Sequence, residues 1–138
     1  MTNTAASKIA FSYIQASAAP INFEPSRLVM RDEDTFRRLA INAVYFLVAS
    51  VSNGCDDEEE RNEGFEPLNV EFFRNAENGE YIADVDLTVG GPSIWARYES
   101  RRDRLTIFAH WGADELEFIA DESPLIDWIK DAEECTRF

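Results

Sequence analysis

Histidine and cysteine are nearly missing from this 138-residue chain: His110 is the single histidine, and Cys55 and Cys135 are the two thiols. Zinc sites of the Cys/His kind therefore have no ligand set to draw on. Nucleophilic catalysis needs an activating base that a third group holds in place. His110 reads as mid-strand, with Thr106 and Phe108 on its own face, and Cys55 precedes a run of acids that would raise a thiol pKa. Neither residue points to catalysis, so a non-enzyme is expected. A chain this long builds a core without a disulfide, so both thiols are expected to be reduced, in a cytoplasmic protein.

Apolar runs of about 18 residues are absent as well, which excludes a membrane-spanning helix. Ser12, Gln15 and Ser17 interrupt the apolar stretch from Ile9 to Ala19, unlike the core of a signal peptide. Gly90-Gly91-Pro92 lacks a following Lys-Ser/Thr and a helix, so it reads as a tight turn and not a phosphate loop.

Positive charge is outnumbered. The chain carries 13 Lys and Arg against 27 Asp and Glu, a formal charge of −14. Its 45% apolar and 12% aromatic content is nevertheless globular, so the acidity does not signify disorder. Affinity for phosphate backbones and anionic membranes comes from Lys and Arg, so neither nucleic acid nor a membrane is the expected partner. The charge is divided unevenly. Residues 1–55 net +1, whereas residues 56–138 hold 8 basic and 23 acidic groups. Four arginines, Arg97, Arg101, Arg102 and Arg104, form a small basic island within that acidic part.

The residue pattern predicts one α+β domain over 1–138, with two N-terminal helices, a five-stranded antiparallel meander sheet and a C-terminal helix. Residues 5–18 read as the first helix, stopped by Pro20. Ile21 to Met30 reads as an irregular or short extended connection. Asp32 to Thr35 offers caps for a second helix over 36–52, which ends at Asn53-Gly54. Residues 56–66 form an acidic loop. Strands follow over 68–72, 81–89, 94–99, 105–111 and 115–120, with Asn78-Gly79 as a hairpin turn. Tyr81, Ala83, Val85, Leu87 and Val89 are expected to face the second helix, leaving Asp84 and Asp86 on the open face. Ser123-Pro124 opens the last helix.

Cofactors and metals are not expected. Asp56, Asp57, Glu58, Glu59 and Glu60 are hard oxygen ligands, but they lack the spacing and central glycine of an EF-hand loop. They read instead as part of a binding surface, together with Asp84 and Asp86 on the sheet and Asp114, Glu115 and Glu117 at the far end of the meander. The expected partner is a basic protein surface, such as the groove of a nucleic-acid-binding enzyme or complex. In size and charge alone the chain is similar to the small acidic inhibitors of phages and mobile elements, such as DNA-mimic anti-restriction and anti-CRISPR proteins. That similarity implies a decoy that occupies the groove. The alternative expectation is a stoichiometric protein partner, such as a toxin immunity protein or a secretion chaperone. Trp95, Trp111, Trp128, Phe73 and Tyr98 are its candidate anchors.

Overall fold

The computed structural model describes Ala5, Ala6, Lys8, Ser12, residues 23–49, Val51 and residues 65–136. Its elements run β1 (Phe23–Val29), α1 (Glu33–Val48), β2 (Asn69–Arg74), β3 (Tyr81–Thr88), β4 (Ser93–Glu99), β5 (Arg104–Trp111), β6 (Asp114–Ala120) and α2 (Pro124–Cys135). The α+β class and the antiparallel sheet match the pattern in the sequence. Four residues expected in the first helix, Ala5, Ala6, Lys8 and Ser12, are helical, and the remainder of that segment lies outside the described residues.

The sheet has six strands, not five, in the order β1-β6-β5-β4-β3-β2. The sixth is β1, which was expected as an irregular or short extended connection and is a strand that pairs antiparallel with β6. Pro25 hides it from the sequence. Proline cannot donate to a ladder, but an edge strand tolerates it where the register shifts, and the β1 register shifts between Pro25 and Arg27.

Period-2 alternation sets the two faces of the sheet. Ala83, Val85, Ile94, Ala96, Leu105, Ile107 and Phe118 are 0% exposed and point to the helix side. Helix α1 buries Phe36, Leu39, Ala40, Ala43 and Leu47 against that side, packing chiefly on β5 and β6. Helix α2 lies on the same side, where Glu133 pairs with Arg74 of β2 and Lys130 sits 6.0 Å from the ring centroid of Tyr98. Two expectations need correction here. The inward residues of β3 share the core with α1, but α1 rests over the other half of the sheet. Val89 is 78% exposed, because the β3–β4 register shifts after Asp86 and the strand ends at Thr88.

Helix α1 begins where the caps predict: Asp32 Oδ1 accepts from the Thr35 amide at 3.0 Å. It ends earlier than expected, at Val48, with Ala49 already extended. Val51 instead bridges to Phe65, which packs edge-to-face on Phe46 with centroids 4.8 Å apart. Gly79 adopts φ +74° in the β2–β3 hairpin, the left-handed conformation that Asn-Gly turns exploit.

Candidate functional site

The outward face of the sheet is the candidate site, because both described helices cover the inward one. Cross-strand registers arrange its side chains in rows. One row reads Arg27, Glu117, Phe108, Trp95, Asp86 and Asn69 from β1 to β2. The neighbouring row reads Glu24, Ile119, Thr106, Arg97, Asp84 and Glu71.

At the centre, Trp95 of β4 and Phe108 of β5 stack with ring centroids 4.0 Å apart and planes 11° from parallel. Direct cross-strand pairing at the same face produces this contact, a geometry that favours aromatic pairs. The guanidinium of Arg97 lies 5.4 Å from the Trp95 centroid and grips Asp84 bidentately, Nε to Oδ1 at 2.8 Å and Nη2 to Oδ2 at 3.0 Å. That fork raises the pKa of Arg97, with the hydrogen bond to Asp84 as the main cause. Arg27 is likewise raised by its hydrogen bond to Glu115, Nε to Oε2 at 2.6 Å.

A hollow flanks each side of this aromatic ridge. One, of about 310 Å³, is lined by Asn69, Glu71, Asp84, Asp86 and Trp95. The other, of about 170 Å³, has Arg27, Trp95, Phe108, His110, Glu115 and Glu117 in its walls. A larger hollow of about 420 Å³ lies at one end of the sheet, between Glu24, Arg102, Asp103, Arg104 and Asp121. It is formed mostly by turn and strand-end residues and has no aromatic wall, so it is the weaker candidate.

The structure gathers four of the expected site residues, Asp84, Asp86, Glu115 and Glu117, onto this one face. Asp114 is the exception and corrects the sequence reading. It is 2% exposed, and its Oδ1 accepts from the backbone amides of Arg31 and, at 3.0 Å, Asp32. Its carboxylate fastens the start of β6 to the entry of α1 and is not presented to a partner. Asp56, Asp57, Glu58, Glu59, Glu60 and Cys55 lie outside the described residues.

Among the proposed anchors, Trp95 is on the open face and Phe73 is 54% exposed at its edge, whereas Tyr98 is 2% exposed in the core. Trp111 and Trp128 pack partly buried against that core. Phe108, Arg97, Arg27 and Glu71 belong to the face and were not singled out as site residues. Strand parity points to Phe108, Arg97 and Glu71, whereas Arg27 lies on β1, which the sequence pattern does not show as a strand.

One row resembles a hydrolytic constellation in residue type: Ser93, His110 and Glu115 occupy adjacent strands in register. Its hydrogen bonds lead elsewhere. Ser93 Oγ donates to the Gly90 carbonyl at 2.9 Å, and Glu115 is held by Arg27. Among the described residues no group of three or more His, Cys, Asp or Glu is placed to hold a metal ion. Comparisons with protein-family models, with curated proteins and with solved structures find no match to this chain.

Proposed function

We propose that this chain is a non-enzymatic binding protein that docks the open face of its sheet onto a basic surface of another protein, blocking or shielding it stoichiometrically. The observation that carries this reading is the Trp95–Phe108 stack standing on an open sheet face among Asp84, Asp86, Glu115 and Glu117. Aromatic pairs in the middle of a patch supply binding energy once covered, and charges around them set orientation and association rate. The face is mixed in character: Arg97 neutralises Asp84 and Arg27 neutralises Glu115. This supports a protein partner of the immunity-protein or chaperone kind ahead of a pure phosphate mimic.

A nucleic-acid decoy keeps one supporting observation. Asp84 and Asp86 recur along β3 at a separation of about 6.7 Å, with Glu71 beside Asp84 on β2. Such a decoy would be an inhibitor of the anti-restriction or anti-CRISPR type.

Retention of a partner from a lysate of the cells that make the chain separates the readings. Trp95→Ala should weaken retention by about 2 kcal/mol or more if the ridge is an anchor. The pair Asp86→Asn and Glu117→Gln should instead flatten the loss of binding between about 50 and about 200 mM salt if the carboxylates stand in for phosphates. Unchanged retention by both variants, each shown folded by circular dichroism, would refute binding through this face.

A further inference from the structure

The two edges of the sheet are built differently. β1 closes one edge with Pro25, which lacks an N–H, and with a register shift beside it. Both devices discourage a further strand. β2 closes the other edge with Asn-Val-Glu-Phe-Phe-Arg, which contains neither a proline nor a register shift. Hydrogen bonding alternates along it. The Asn75 amide donates to the Glu80 carbonyl at 2.8 Å, which puts Asn69, Glu71 and Phe73 in the bonded pairs with β3. The N–H groups of Val70, Phe72 and Arg74 therefore point away from the sheet, and among the described residues nothing pairs with them.

Side chains along the same edge are incompletely covered on both faces. Val70 and Phe72 are only partly buried against the core, while Leu68 is 61% and Phe73 is 54% exposed. We propose that β2 receives an extended segment of a partner protein as a seventh strand, one whose side chains alternate between apolar and basic. An added strand would saturate the outward N–H and C=O groups and complete the burial of Val70 and Phe72.

Charge selects the occupant. Residues 66–80 carry Glu66, Glu71, Glu77 and Glu80 against Arg74 alone, whose guanidinium is taken by Glu133 and Thr136. A second copy would bring the same glutamates to the same edge, on a chain of charge −14, so like charge opposes self-pairing. A Lys or Arg opposite Glu71 forms a favourable cross-strand pair. The inference rests on the reading of a basic partner for its sign of charge, and on the edge for its geometry.

Amide hydrogen exchange tests it, with a peptide that alternates Val and Lys as the probe and the same peptide interrupted by proline as the control. In the free chain the amides of Val70, Phe72 and Arg74 should exchange fast, while those of Asn69, Glu71 and Phe73 are protected by the β3 ladder. The alternating peptide should slow the first three on the order of tenfold and leave the second three unchanged. The proline-interrupted peptide should protect none. Val70→Pro deletes an outward donor without costing a β2–β3 bond, and should weaken the alternating peptide while leaving Trp95-dependent partner retention intact. Fast exchange at Val70, Phe72 and Arg74 with the peptide bound would overturn the inference even where retention through Trp95 stands. Protection of those amides in the free chain that grows with its own concentration would overturn it too, by showing a second copy at the edge.

Discussion

At the scale of single residues, a partly buried hydrogen bond ties the stability of this molecule to pH. The Tyr98 hydroxyl donates to Asp103 Oδ1 across the β4–β5 turn. Burial, and then this bond, hold the Tyr98 phenol well above the ordinary tyrosine range. The same bond, with help from Lys130, holds the Asp103 carboxyl below the usual carboxylate range. The signs follow from linkage. Stability from Asp103 is present above its unfolded pKa, near 4, and is lost as pH falls through the lower folded value. Stability from Tyr98 is present below about 10 and is lost as pH rises toward the higher folded value. Denaturant melts of Tyr98→Phe across pH should show weaker dependence at both ends than the parent, and absorbance titration should find one tyrosinate fewer forming near pH 10 in the folded parent. Identical pH profiles for parent and variant would contradict the pairing. None of this was legible in advance. Asp103 falls between the strands expected over 94–99 and 105–111, and Asp114 was expected in the binding surface, because a sequence shows which residues are acidic but not which hydroxyl or backbone amides a fold will bring to them.

At the scale of elements, local signals were read well and long-range pairings were not. Asp32 and Ser123 sit at N-caps, Asn78-Gly79 makes its turn, and β3 keeps the predicted alternation up to Leu87. Each depends on neighbours within a few residues. β1 was missed because its partner, β6, lies far along the chain and because Pro25 breaks the local strand pattern. The end of α1 was placed too late for a similar reason: Val51 continues the helical spacing but is claimed by Phe65. Ser123 joins two elements at once. Its hydroxyl donates to the Leu47 carbonyl at 2.5 Å, near the end of α1, and accepts from the Leu125 amide at 3.2 Å, at the start of α2. Ser123→Ala removes a cap and a link between the helices, and should cost about 1–2 kcal/mol in chemical denaturation. A loss within about 0.3 kcal/mol of zero would show that water replaces both bonds at no cost.

At the scale of the whole molecule, the fold makes the two sides of the sheet different in kind. Helices α1 and α2 cover one side of the sheet, and the other side carries the Trp95–Phe108 ridge, its carboxylates and the arginines that restrain two of them. The sequence disclosed the acidity and the parity of Asp84 and Asp86. It did not disclose that Arg97 and Arg27 would engage their neighbours, since those pairs follow from strand order. Like charges on one chain repel and raise the cost of folding, and the basic partner proposed above would offset that repulsion in the complex. The claim that binding runs through this face is tested most directly by hydroxyl-radical footprinting of the chain, free and bound to its retained partner. Trp95 and Phe108 should be oxidised in the free chain and shielded in the complex, while Tyr45, 45% exposed on α1 behind the sheet, should be oxidised equally in both. Equal oxidation of Trp95 and Phe108 in the two states, with shielding at Tyr45 instead, would move the binding surface to the opposite side of the molecule.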